Sequence, residues 1–257
     1  MRHAWIRSVL PLTLADLRHR YAGSVLGGFW TIAAPLLEVA AYALVFGFLL
    51  PAASRGSGLH YALFIASGLL PWAAFREALE ASAATLPDNR WIRRSRVPLE
   101  LLVARHVLVA ASRAVVGLAL VILVAFVARG GVGLGTLPLV LLAIALQVAM
   151  CYGLGLALAP LGTLYPDLRP GLASALMLLT FASPILYPES ALSPRALALV
   201  EWNPFTYLLR LYRLPLALGE GGFRGLDVAW CLAAAAVLVG VGVLLKDRYW
   251  WAARDAL

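Results

Sequence analysis

Apolar residues in this chain gather in long unbroken runs rather than alternating with polar ones. A membrane-crossing helix needs about 20 mostly apolar residues, and such runs are expected as spans at about 29–50, 101–128, 137–160 and 226–245. A span at 59–80 carries Pro71 and a charged end, and another at 171–188 is short and contains Pro184. The pattern therefore predicts an all-α polytopic membrane protein, a single transmembrane domain over residues 1–257 with six transmembrane helices. An even number of crossings puts both termini on one side. If that side is the cytoplasm, the inward-facing segments hold about twice as many Arg and Lys residues as the outward ones. That is the bias expected of inside loops, so both termini are expected in the cytoplasm.

Two stretches depart from the spanning pattern. Near the start, Leu10, Leu14, Leu17 and Tyr21 recur at helical spacing, while Arg7, Asp16, Arg18 and Arg20 fall largely elsewhere. Pro11 suits a first turn and Gly23 suits a helix end. The segment 10–23 is thus expected to be an amphipathic helix lying in the cytoplasmic interface, either as an anchor or as a docking surface for a partner. The second stretch, 183–225, is too rich in proline for one spanning helix and too apolar for a solvated loop. Two re-entrant helices dipping into the outer leaflet, between spans five and six, fit it best.

Composition narrows the function. The chain is 62% hydrophobic and 13% charged, with mean hydropathy +0.86, against roughly 25% charged residues in an ordinary soluble domain. A soluble enzyme is excluded. The net charge of +8 comes from arginines at the ends of apolar runs, where they set orientation and meet anionic lipid, so nucleic acid is not an expected partner. Cys151 and Cys231 both lie inside apolar runs and suggest no disulfide framework. The first residues lack the pattern of a removable signal peptide.

The chemistry is sparse. The single lysine, Lys246, is followed by Asp247, so the Gly-x-x-x-x-Gly-Lys-Ser/Thr phosphate loop has no place here. His3, His19, His60 and His106 form no metal-ligand spacing, so neither a metal site nor a cofactor is expected in this chain. Arg90, Arg93, Arg94 and Arg96 crowd one cytoplasmic loop with Trp91. They either set topology, dock an acidic partner surface, or grip a lipid pyrophosphate at headgroup depth. Glu38 and Arg113 lie about 14 Å and about 18 Å into their spans from the same side. Ionisable groups at such depth are paired or face a cavity, and an intramembrane Glu38–Arg113 pair is expected. Tyr42, Phe46, Trp72 and Phe75 sit inside spans, where they either pack or line a path on which sugar rings stack.

Four stretches then carry a resemblance: Arg20-Tyr-Ala-Gly-Ser-Val-Leu-Gly-Gly-Phe-Trp with Pro35-Leu-Leu, Ser67-Gly-Leu-Leu-Pro-Trp, Ser183-Pro-Ile-Leu-Tyr-Pro, and Trp202-Asn-Pro-Phe-Thr-Tyr. In this order they resemble ABC-2 type permeases, the membrane subunits of O-antigen and teichoic-acid type polysaccharide exporters. Pro166 stands where that family usually has an arginine, with Arg169 one turn on. The resemblance implies a homodimeric half-transporter in the bacterial inner membrane, served by two copies of a separate cytoplasmic ATPase that binds ATP and Mg. It implies a substrate carried on a polyprenyl pyrophosphate, collected by Arg90, Arg93 or Arg94. It also implies that Leu14, Leu17, Arg18, Arg20 and Arg96 meet the ATPase. An ABC-2 exporter of a drug or small lipid, and a membrane enzyme acting on a lipid-linked sugar, remain alternatives.

Overall fold

A computed structural model describes residues 11, 13–14, 29–45, 58–87, 97–216, 218 and 223–256. Its regular elements are helical: α1 (Trp30–Leu44), α2 (Gly58–Ala84), α3 (Leu99–Arg129), α4 (Leu137–Leu164), α5 (Leu168–Ala182), α6 (Pro194–Glu201), α7 (Pro204–Arg213) and α8 (Gly225–Asp255). Short 3-10 turns occur at Leu134–Thr136, Glu189–Ala191 and Leu214–Leu216, and no strand is present among the described residues.

Among the described residues four helices, α2, α3, α4 and α8, are long and apolar enough to cross a bilayer. Their 27 to 31 residues span about 40–47 Å at 1.5 Å per residue. They outrun the apolar segments that predict them. Helix α4 continues past Pro160 to Leu164, and α8 continues past Leu245, through Lys246 and Trp251, to Asp255. The backbone ladder of a helix needs no apolar side chains, so it can run on past the apolar stretch.

Helix α5 differs in the other direction. The expected span at 171–188 is instead a helix of 15 residues ending at Ala182, about 22 Å long against a hydrocarbon core of about 30 Å. Pro184 supplies the reason, because a proline disfavours helical backbone in the residue before it. Ser183 is accordingly extended, with φ −107° and ψ 144°.

The helices pack through small residues, as lipid-embedded bundles do. A Cβ added at Gly153 of α4 would lie 2.5 Å from the Leu238 carbonyl carbon of α8, and one at Gly242 would strike the Gly153 backbone. On the other side of α4, a Cβ at Gly155 would lie 2.7 Å from Ser82 Oγ of α2, and one at Gly162 would strike the Ala83 carbonyl. Helix α4 is therefore clasped between α8 and α2. Gly117 of α3 gives way to the Leu70 side chain of α2 in the same manner.

The two ends of the bundle are tied differently. At one end Lys246 Nζ donates to Glu100 Oε1 at 2.6 Å, joining the tail of α8 to the head of α3. At the other, Gly133 N donates to the Pro215 carbonyl at 2.8 Å, and Tyr61 Oη donates to the Leu186 carbonyl at 2.7 Å. The irregular segment between α5 and α8 thus sits at the end opposite Lys246.

Candidate functional site

Three of the four recognisable stretches meet at one place. Ser67–Trp72 lies midway along α2, Ser183–Pro188 follows α5, and Trp202–Tyr207 opens α7. Asn203 caps α7, its Oδ1 accepting from Phe205 N at 3.0 Å, with Pro204 at the first helical position. Both choices suit a helix start, since the cap satisfies an orphan N–H and proline has none to satisfy. The same Asn203 side chain donates through Nδ2 to Ser183 Oγ at 2.7 Å, so the cap also locks the post-α5 turn.

Beneath this cap the aromatics interlock. Phe205 meets Trp72 edge-on at 4.8 Å between ring centres and Phe75 at 5.4 Å, while Trp72 and Phe75 stack at 5.4 Å. Trp72 Nε1 donates to Thr180 Oγ1 of α5 at 2.7 Å. With 2% and 9% exposure, Trp72 and Phe75 are enclosed where α2, α5 and α7 meet, so neither fronts an open path.

Sequence reasoning passed over the polar groups that hold the knot. Arg213, at the end of α7, is 3% exposed. It donates to the carbonyls of Pro184 at 2.9 Å, Ile185 at 3.2 Å and Phe64 at 3.4 Å, and its guanidinium carbon lies 3.6 Å from the Phe64 ring centre. Gly68 leaves the room, since a Cβ there would lie 3.1 Å from an Arg213 nitrogen. Gln147 of α4 donates to the Pro71 carbonyl at 2.9 Å and accepts from Tyr212 Oη at 2.8 Å. In an apolar surround each backbone group needs an internal partner, and Arg213 and Gln147 serve carbonyls of α2 and the turn after α5. Their signal was present: polar side chains within otherwise apolar stretches.

At the rim Arg210 gathers three carboxylates. Its Nε lies 3.0 and 3.1 Å from the Glu189 oxygens, Nη1 3.2 Å from Asp227 and Nη2 3.4 Å from Glu201. The Glu189 hydrogen bonds hold the guanidinium further toward its charged form. Its carbon also sits 5.0 Å from the Tyr207 ring centre, and Tyr207 stacks on Trp230 at 6.0 Å.

A second polar region lies lower, between α2 and α3. Arg113 Nη1 donates to Glu77 Oε2 at 2.9 Å. Arg76 and Glu80 pair at 3.4 Å along α2. Thr85 Oγ1 lies 3.0 Å from His106 Nδ1, and Arg105 Nη2 lies 3.1 Å from His106 Nε2. The described partner of Arg113 is thus Glu77, a carboxylate not singled out from the sequence; the Glu38 and Tyr42 side chains lie outside the described ones, although α1 itself packs on both α2 and α3. Also outside the described residues are Leu17, Arg18, Arg20, Phe46, Arg90, Arg93, Arg94 and Arg96. Leu14 is described and is 48% exposed. Among the described residues no three His, Cys, Asp or Glu side chains group as a metal site, and Cys151 and Cys231 are free thiols in the core.

Residues 9–216 match the ABC-2 type transporter family, and the chain belongs to that family of membrane transport permeases. It is similar to the O-antigen export system permease protein RfbA of Klebsiella pneumoniae, with 24% identity over 94% of this chain and 92% of that protein. The protein of the same name from Myxococcus xanthus is 28% identical over 80% of this chain and 78% of its own length. The polysialic acid transport protein KpsM of Escherichia coli is 24% identical over 83% and 84%.

Proposed function

We propose that two copies of this chain, with two copies of a separate cytoplasmic ABC ATPase, form an ATP-driven exporter. The cargo is a polysaccharide carried on a polyprenyl pyrophosphate, and the membrane is the bacterial inner membrane. The observation that carries this reading is the end-to-end similarity to permeases named for O-antigen export, supported by the polysialic acid transporter. The ATPase partner binds the ATP and Mg, and this chain contributes no cofactor.

In this reading the six crossings are the 29–50 stretch that contains α1, helices α2, α3, α4 and α8, and α5 together with the turn that follows it, and both termini are cytoplasmic. Helices α6 and α7 re-enter the outer leaflet; contacts of α7 with Trp72 and Gln147, well inside α2 and α4, support that placement. Segment 10–23, with Leu14, Leu17, Arg18 and Arg20, and Arg96 of the arginine loop between the second and third spans, receive the ATPase. Arg90, Arg93 and Arg94 collect the pyrophosphate. Tyr42 and Phe46 of the first span line the path, while Trp72 and Phe75 stiffen its wall from behind. Glu38, on the α1 helix that packs against α3, joins Arg113 in a shared intramembrane ion pair.

Mild-detergent purification with mass-spectrometric stoichiometry tests the assembly. A bound ATPase carrying a phosphate-binding loop, at one copy per permease, is the expected result. A chain that purifies alone and processes a lipid-linked sugar without nucleotide overturns it.

A further inference from the structure

Helix α8 carries two opposite faces along its length. Cys231, Ala235, Gly242 and Ala253 recur on one side of the helix and are buried, and through Gly242 this side lies against Gly153 of α4. On the other side Val237, Val241, Leu244, Arg248 and Trp251 recur at intervals of three and four residues and are all exposed, Leu244 by 70% and Trp251 by 65%. The first three are apolar, as acyl chains require. Within one turn of Leu244 the chemistry changes. Arg248 lies about 4.5 Å past Leu245, where the apolar run ends, and so falls within a headgroup layer about 5–7 Å deep. Helical side chains lean toward the N-terminus of their helix, so Arg248 and Trp251 lean back toward the apolar stretch. The Arg254 guanidinium carbon lies 5.9 Å from the Trp251 ring centre. Nearby carboxylates are engaged or remote. Lys246 takes Glu100 at 2.6 Å and Asp247 at 2.8 Å, and Asp255 is about 10 Å further along the axis than Arg248. Among the described residues no carboxylate pairs with Arg248, whose guanidinium carbon sits 5.7 Å from the Tyr249 ring centre.

We propose that this face of α8 docks an anionic phospholipid of the inner leaflet. Its acyl chains lie along Val241 and Leu244, its phosphate meets Arg248, and the Trp251 ring sits beside the headgroup. The fork of an arginine matches two phosphate oxygens at once, and an indole, apolar with one N–H, favours headgroup depth. The lipid is drawn from the bulk bilayer rather than from the cargo, because the stripe above Arg248 continues as exposed Leu244, Val241 and Val237 on the side of α8 turned away from α4. Placement in the inner leaflet rests on the exporter reading, which puts the end of α8 in the cytoplasm.

The test uses the complete permease–ATPase complex in phosphatidylcholine nanodiscs. Phosphatidylglycerol or phosphatidylcholine, each spin-labelled near the headgroup, is added in rising mole fraction. The Trp251 signal is the fluorescence difference between each protein and its Trp251→Phe counterpart. In the parent, phosphatidylglycerol is expected to quench Trp251 at a lower mole fraction than phosphatidylcholine. Arg248→Gln is expected to shrink that advantage about fivefold, and Arg248→Lys to keep most of it. A second measurement stands even where Arg248→Gln assembles poorly: in the parent, salt at about 1 M is expected to remove most of the advantage. Equal quenching by the two lipids in the parent overturns the proposal, as does an advantage untouched by salt or by Arg248→Gln. A Trp251 that neither lipid reaches in the complex, but both reach in the permease stripped of its ATPase, assigns the face to the ATPase and overturns lipid docking. None of these outcomes touches the exporter reading, which fails separately when no ATPase co-purifies; the same titration on the permease alone then still decides the lipid.

Discussion

Arg213 closes over Phe64, its guanidinium carbon 3.6 Å from the ring centre, while two of its nitrogens reach the carbonyls of Pro184 and Ile185. One side chain thereby fastens the end of α7 to α2 and to the turn that ends α5. Replacing it with Leu strands those carbonyls, at about 1–3 kcal/mol for each group left unsatisfied. Arg213→Leu is expected to lower the melting temperature of the detergent-purified permease sharply. Arg213→Lys keeps the charge without the fork and is expected to fall between. A thermal-shift series on the three proteins checks the order.

The glycine crossing of α4 and α8 gives a second expectation. At Gly153 the Leu238 backbone leaves no room for a methyl group, so Gly153→Ala forces the helices apart. Overpacking of this kind costs typically 1–3 kcal/mol. Gly240, whose added Cβ would meet open space, is the control: Gly240→Ala is expected to leave stability near the parent value or slightly above it. Heating both variants and following the monodisperse peak on size exclusion separates them.

Trp72 offers a way to tell packing from cargo contact. Trp72→Phe removes the hydrogen bond to Thr180 at about 0.5–1.5 kcal/mol, and Trp72→Ala removes a buried ring at about 3–5 kcal/mol. Export normalised to the amount of folded permease is expected to stay near the parent level in Trp72→Phe. A loss of normalised export with unchanged stability would place the ring on the cargo path instead.

Charge reversal tests the α2–α3 pair. Glu77→Arg and Arg113→Glu each leave like charges facing one another at partly buried positions, and each is expected to reduce folded yield. The double variant restores opposite charges and is expected to recover a substantial part of it. Running Glu38→Arg through the same cycle with Arg113→Glu measures how much of Arg113 the first span shares.

These contrasts mark what the sequence carried. Lipid demands unbroken apolar surface, so α3, α4 and α8 are readable as runs, α2 is readable despite Pro71 and its charged end, and Pro184 forewarned of trouble in the fifth. Helix ends are less readable, because hydrogen bonding carries α8 past Leu245 with no change of rule. Azimuth is not readable at all from a run of Leu and Ala: nothing along the chain says whether Trp72 points to a lumen, to lipid or into α7. Depth alone paired Arg113 with Glu38, and Glu77 satisfies the same depth criterion from a neighbouring helix. The resemblance motifs were legible one by one, but their meeting at Asn203, Ser183 and Trp72 needed three dimensions.

The shortness of α5 reaches into how the molecule is made. Its helix stops at Ala182, and the segment that completes that column of the bundle leans on α2 through Arg213 and on α4 through Tyr212. Those supports are synthesised earlier, whereas Asp227, which holds Arg210 from α8, arrives later. During translation the insert therefore finds a half-built receptacle waiting for it, and the last helix seals it. A chain that ended before residue 225 would keep the contacts of α7 with α2 and α4 but lack the Asp227 carboxylate that ties Arg210 to α8.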